Sequence, residues 1–238
     1  MIFKRTTSSN NPDHEHWISV SDLMSGLMMV FLFISIALMR HAFVERDKIK
    51  DVAKAYETTQ IAIYESLKSE FEPDLQRWSA KINKDTLSVE FEDTEVLFQM
   101  GSATLQPRFE EILNDFFPRY IKSLKPYRNS ITEIRIEGHA SSYWSIDATP
   151  ERAYANNMVL SQARTRSVLF YILNMTRTNE EKDWLRKHIA AIGFSSSHLV
   201  MKNGREDPRA SRRVTFRLLT NAEQQIRRIL GTENENQN

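Results

Sequence analysis

Between Ile18 and Met39 the chain reads ISVSDLMSGLMMVFLFISIALM, with no Lys, Arg, Glu or Pro to interrupt it. A helix crosses the hydrocarbon core of a bilayer in about 20 residues. A run of this length must therefore be inserted in lipid, removed as a signal, or buried in a large core. It exceeds the apolar core of a cleaved signal, about 7–15 residues, and the MRHAFVERDK that follows offers no small-x-small cleavage site. The rest of the chain is polar, with a mean hydropathy of -0.48 over 238 residues. One apolar helix in such a chain predicts a single-pass membrane protein with room for one ordinary domain. Trp17 marks one interface and Arg40-His41 the other.

Asp22 lies about one turn inside this helix. An Asp at mid-membrane costs roughly 2.5–3.5 kcal/mol on insertion scales, and intramembrane carboxylates face a partner helix or a water path. The neighbours fit that pattern. Ser19, Asp22, Ser25, Gly26 and Met29 recur at helical spacing on one small, polar face. Leu23, Leu27, Val30, Ile34 and Leu38 cover the other side with bulk. Small residues let another helix approach closely, so Asp22 is expected at a helix–helix contact. There, removal from water disfavours the charged form of a carboxyl, which lets it take up a proton on one side and release it on the other. The plainer alternative is an interfacial Asp that caps the helix with Ser19 or Ser21.

Composition excludes several classes. Lys and Arg number 32 against 31 Asp and Glu, so no nucleic-acid partner is expected. There are no cysteines, hence no disulfides or thiolate metal sites, and the 6 His show no zinc-like spacing. No cofactor or metal is expected. No nucleophile–base pair or phosphate loop stands out, so the chain does not read as an enzyme.

Residues 41–85 read as a charged, mostly helical linker with an imperfect apolar period through Ile49, Val52, Ala53, Tyr56, Ile61, Tyr64, Leu67 and Phe71, interrupted at Pro73. From about residue 86 the pattern changes. LSVEFEDTEVLF reads as a strand or hairpin and QPRFEEILNDFFPRYIKSLK as an amphipathic helix. ITEIRIEGH alternates as a strand, NMVLSQARTRSVLFYIL is a second helix, and HIAAIGF and RRVTFRLL are strand-like. This β-α-β-α-β order predicts an α/β sandwich over 86–220, with a polar tail at 221–238.

Three pieces of this domain together resemble the OmpA-like peptidoglycan-binding domain shared with MotB-type proteins. They are LFQMGSATLQP, IEGHA and NMVLSQARTRSV, followed by Gly193-Phe194 and SRRVTF at 211–216. The resemblance implies a periplasmic domain that binds the diaminopimelate of the wall peptide. Arg164 stands at the family's carboxylate-clamping Arg, and Asn157 and Leu160 at positions that shape the pocket. The family's amine-pairing Asp is replaced by Ser141, which can hydrogen-bond but carries no charge. Asp147 or Glu151, in what reads as a lengthened 141–156 loop, could replace it. His139 is structural in the family, and Arg212 and Arg213 read as exposed strand-end charges.

WISVSDLMSGLMMVFLFI is similar to the membrane helix of stator B-subunits, with Trp17, Asp22, Met24, Met28 and Phe31 in order. That resemblance implies a proton-carrying Asp22, a channel face of Ser19, Ser25, Gly26 and Met29, and an N-terminus (residues 1–16) in the cytoplasm. Lys and Arg counted alone would place the C-terminal side inside instead. It also implies a homodimer surrounded by about five copies of a MotA-like (ZorA-type) membrane subunit, with residues 42–70 able to plug the channel. The short, weakly charged lead is more similar to the Zorya anti-phage defence family than to flagellar stators. A flagellar stator subunit and a static OmpA-like wall tether are the alternative readings.

Overall fold

In a computed structural model of the chain, residues 12–92 and 94–221 are described. The chain divides into two compact units at Asp51/Val52. Helix α1 (Pro12–Trp78) begins in the first and ends in the second.

In the first unit, every side chain described from Val20 to Asp51 is exposed. Val20–Asp51 contains a window of mean hydropathy 2.1 and is long and apolar enough to cross a membrane.

The second unit is built on a five-stranded mixed sheet in the order β1-β2-β7-β3-β4. β1 (Ala80–Asn83), β2 (Ser88–Glu92), β7 (Arg213–Thr220) and β3 (Ile131–His139) run antiparallel in that order, and β4 (Ile189–Ser195) lies parallel to β3. Between β2 and β3 come a single turn, α2 (Thr94–Leu97), and α3 (Pro107–Leu124), which ends in a 3-10 segment. α4 (Pro150–Met175) and α5 (Asn179–His188) make the crossover from β3 to β4. A small hairpin of β5 (Met201–Lys202) and β6 (Arg205–Glu206) and a turn of helix, α6 (Pro208–Ser211), lead into β7.

Alternation along the strands separates the sheet's two faces, with register shifts in β3 between Ile131 and Glu133 and at Gly138/His139. Val89 and Phe91, Ile134 and Ile136, and Val214, Phe216 and Leu218 point into the core. α3 presents Phe109, Ile112, Leu113, Phe116, Phe117, Tyr120, Ile121 and Leu124 to the same core at three- and four-residue spacing, starting from Pro107 at its first position. Its centre is aromatic: Phe116 meets Phe91 at 5.0 Å, Phe71 at 5.1 Å and Phe216 at 5.1 Å between ring centroids. The other face carries Glu90 of β2, Arg213, Thr215 and Arg217 of β7, and Arg135, Glu137 and His139 of β3. These side chains pair across strands, as in Arg213–Glu90 at 3.6 Å and Arg217–Glu137 at 3.9 Å.

The expected linker is in part core. Ile63, Leu67, Phe71 and Trp78 of α1 are fully or almost fully buried in the second unit. Arg119 of α3 locks them down: its Nε donates to Glu70 Oε1 at 2.7 Å, and its other nitrogens to Asp74 Oδ2 at 2.8 Å and the Glu70 carbonyl at 2.7 Å. Its guanidinium lies 5.0 Å from the centre of Phe71's ring. The Pro73 interruption does not occur, and α1 runs on to Trp78. Pro73 removes one helical donor, yet both it and Ser69, four residues earlier, are exposed, so the freed carbonyl faces water. Burial of Phe71 and Trp78 on either side outweighs the loss. The compact domain thus starts before residue 63 rather than at 86, and only the earlier part of 42–70 is outside the core.

Candidate functional site

Two places bear on function, one in each unit. In the first, Asp22 is exposed and makes no hydrogen bond or ion pair with any described residue. Ser25 donates its hydroxyl to the Ser21 carbonyl at 2.8 Å, so it is satisfied within its own helix and needs no partner in lipid. Nothing lies within 4 Å of where a Cβ would stand on Gly26, which leaves that face open. Met29 is exposed on it. Ser19 is helical in its backbone, and its side chain lies outside the described residues, as does that of Trp17. Any partner for Asp22 must therefore come from another chain, or from residues outside those described.

In the second unit the site forms where α4 presses on β3 and β4. Gly138 and Gly193 lie opposite one another in the β3–β4 register. A Cβ on Gly193 would lie 2.5 Å from the Gln162 backbone nitrogen, and one on Gly138 2.8 Å from the Ser161 carbonyl oxygen. Both strands thus give up a side chain so that Ser161 can sit against them, where its hydroxyl accepts from the Ser195 backbone N–H at 3.2 Å. This is the physical content of the G-H, G-F and L-S pieces of the sequence: they set the depth of α4, and with it Asn157 and Arg164. The start of α4 is fixed by Thr149, whose hydroxyl caps the Arg152 N–H, and by Pro150.

Arg164 is half-buried. Its Nε donates to the Ser102 carbonyl at 3.0 Å and its guanidinium stacks 4.9 Å from the centre of Phe98's ring. Ser102 belongs to a tight turn within LFQMGSATLQP, closed by the Phe98–Leu105 bridge and by Gly101 at φ 65°. No carboxylate among the described residues pairs with Arg164. Burial, with Arg212 nearby as a lesser cause, lowers its pKa to about 10. A guanidinium in this state gains from an incoming carboxylate, which returns the electrostatic stabilisation that burial removed.

The remaining predicted contacts are placed differently. Asn157 is only 5% exposed, and its Nδ2 donates to the Ser141 carbonyl at 3.0 Å and the Tyr143 carbonyl at 3.3 Å. Ser141 is 2% exposed, so its side chain is not offered to a ligand in solvent. The expectation of a Ser141 hydroxyl contact is corrected: the residue acts through its backbone, as part of a loop clamped by Asn157. Leu160 is half-buried on α4 between Asn157 and Arg164. The loop is shorter than 141–156, since α4 begins at Pro150 and takes in Glu151. Asp147 and Glu151 are both exposed. The carboxylate that reaches the loop is instead Glu206 of β6, which accepts from the Ser142 N–H at 3.0 Å and from the Ser142 hydroxyl. No local pattern pairs residues 142 and 206, so the sequence reading missed it.

Arg213 is also corrected. It is largely buried, not an exposed strand-end charge, and donates to the carbonyls of His198 and Ser211 at 3.2 and 3.3 Å. Beside it, His139 is 5% exposed and stacked on Phe194 at 5.4 Å, with both ring nitrogens lacking a hydrogen bond. Burial lowers the His139 pKa, and Arg213 and His198 add to this against the pull of Glu137. His139 is thus a neutral packing element under the site.

The comparisons decide the family. Residues 97–213 match the OmpA family model. Over 230 residues the chain is 51% identical to the Zorya protein ZorB of Escherichia coli (strain Crooks), covering 96% of this chain and 98% of that one. The chain belongs to the ZorB family. It carries an OmpA family domain at residues 97–213. Looser likenesses in fold are to a putative MotB-like protein from Desulfovibrio vulgaris (TM-score 0.48, 20% identity, 71% of this chain and 94% of that one). Another is to the periplasmic domain of Helicobacter pylori MotB (TM-score 0.44, 14% identity, 62% and 86%). Membership rests on the ZorB match rather than on these.

Proposed function

We propose that this ZorB homologue is the ion-carrying, wall-anchored B-subunit of a proton-driven Zorya motor in the bacterial inner membrane. Its N-terminus is cytoplasmic and its OmpA domain periplasmic. Two copies stand within a ring of about five ZorA-type subunits. Asp22 carries the proton, with Ser19, Ser25, Gly26 and Met29 on the channel face. The observation that carries this reading is Asp22 itself: a carboxylate on an apolar helix, without a partner among the described residues of its own chain. Such a group costs roughly 2.5–3.5 kcal/mol in lipid unless a second chain or water receives it. A proton falling through 100 mV releases about 2.3 kcal/mol, and torque drawn from that needs a fixed support.

The OmpA domain supplies the support by holding peptidoglycan. Arg164, half-buried and without an acidic partner among the described residues, takes the stem-peptide carboxylate. Leu160 lines its approach, and Asn157 and Ser141 hold the loop beside it. Phage plaquing on cells carrying the whole operon tests both halves. Protection lost in Asp22→Asn and in Arg164→Ala, at wild-type membrane levels, is the expected outcome. Full protection by Asp22→Asn would leave a static tether as the better description.

A further inference from the structure

The loop from Ala140 to Thr149 is held firmly at its base and is apolar at its tip. Ala140 N–H donates to the Ser195 carbonyl at 2.7 Å, Asn157 clamps Ser141 and Tyr143, and Glu206 accepts from both donors of Ser142. Beyond these clamps Tyr143, Trp144 and Ile146 are 63%, 38% and 89% exposed. Neither ring is stacked on another ring or covered by a cation among the described residues. A fixed loop that keeps Tyr, Trp and Ile together in water marks an interaction surface. Tyr and Trp lose little conformational freedom when such a surface is covered.

We propose that this loop is a stacking platform for the glycan strand of peptidoglycan. The proposal rests on the wall-anchoring reading and extends it from the peptide stem to the sugar chain. Three observations favour a saccharide as occupant. Amino-sugar rings present C–H faces, which suit the negative face of an aromatic ring, and hydroxyl edges, which suit the Ser145 and Asp147 side chains interleaved here. Asn157, which clamps the loop, and Arg164 are seven residues apart on one face of α4, about 10 Å along the helix. A stem held at Arg164 therefore brings its own glycan strand within reach of the loop. Finally, Asp147 is the only charged residue in 140–149, so the loop itself carries no Lys or Arg, and Glu206 reaches it through Ser142. An anionic bilayer surface recruits clusters of Lys and Arg, and residues 140–149 contain neither.

The test uses the full chain in detergent with three probes: intact sacculi, glycan strands freed of their stems by amidase, and vesicles of anionic phospholipid. Wild type is expected to bind sacculi and stem-free glycan. The pair Tyr143→Ala and Trp144→Ala is expected to weaken glycan binding about tenfold or more. Trp144→Phe alone keeps a ring and should retain most of it, and Arg164→Ala should leave glycan binding intact while weakening sacculus binding. Both aromatic positions are exposed, and an unchanged melting temperature verifies that the pair folds. Wild type that binds sacculi but not stem-free glycan overturns this inference alone, as does a double variant that binds glycan like wild type. Loop-dependent binding to the vesicles would overturn it in favour of a lipid surface. Wild type that fails to bind sacculi at all overturns the wall reading itself.

Discussion

Gly193→Ala probes the contact that sets the position of the whole proposed wall site. The added Cβ would stand 2.5 Å from the Gln162 backbone nitrogen and 2.6 Å from both Gln162 Cγ and Ser161 Oγ. A side chain can rotate away, but the Gln162 nitrogen belongs to the backbone of α4 and cannot. Relief requires the helix to lift off β4 by roughly 1 Å, and overpacking of this kind costs about 1–3 kcal/mol. The lift also stretches the 3.2 Å bond from Ser195 N–H to Ser161 Oγ, worth about 0.5–1.5 kcal/mol. Together this is roughly 2–4 kcal/mol, a drop of about 5–15 °C in melting temperature for a chain of this size. Gly101→Ala is the control. It has no atom within 4 Å, and only its φ of 65° opposes the change, at about 1–2 kcal/mol. Thermal unfolding of the full chain in detergent, followed by circular dichroism, compares the two. Sacculus binding by Gly193→Ala should also fall, since Asn157 and Arg164 ride on α4. A Gly193→Ala protein that melts within a degree of wild type would refute the close-packing argument.

Three further outcomes are expected. A chain that starts at residue 86, the boundary read from sequence, should fail to fold, whereas one that starts near residue 58 should fold. The first lacks Ile63, Leu67, Phe71, Trp78 and strand β1, and amide exchange or limited proteolysis distinguishes them. His139, whose pKa is lowered by burial, favours the native state while neutral. Its contribution is intact above about 6.5 and is lost as pH falls from there toward the lower folded value. Denaturant unfolding across that window should show a shallower decline for His139→Gln than for wild type. Arg164→Lys should restore little of the wall binding that Arg164→Ala loses, because an ammonium cannot both donate to the Ser102 carbonyl and clamp a carboxylate bidentately. Sacculus co-sedimentation measures this directly.

Much of the fold could be read in advance because its signals are local. The apolar run, the alternation of Ile134 and Ile136 in β3, and the amphipathic period of α3 each lie within one element, whereas Ile131 joins that core only through the register shift between Ile131 and Glu133. The end of α1 was misread because its signal is split. Ile61, counted into the apolar stripe, is 40% exposed, while Ile63 is buried. The acidic residues that made the segment look like a solvated linker, Glu70 and Asp74, are matched by Arg119, some 45 residues later. The proposed wall site divides in the same way. Arg164 and Asn157 were visible in the N-x-x-L-S-x-x-R pattern, but the burial of Ser141 and the reach of Glu206 to Ser142 depend on how β3, α4 and β6 meet. No spacing in the chain encodes that meeting.

The most direct test of the central claim is proton entry at Asp22. Cells carrying the whole operon and a cytoplasmic pH-sensitive fluorescent reporter would be infected with phage, comparing wild type with Asp22→Asn at equal membrane level. Acidification on infection in wild type that is absent in Asp22→Asn is the expected result. Equal acidification in both, with protection retained, would contradict the assignment of Asp22 as the proton carrier.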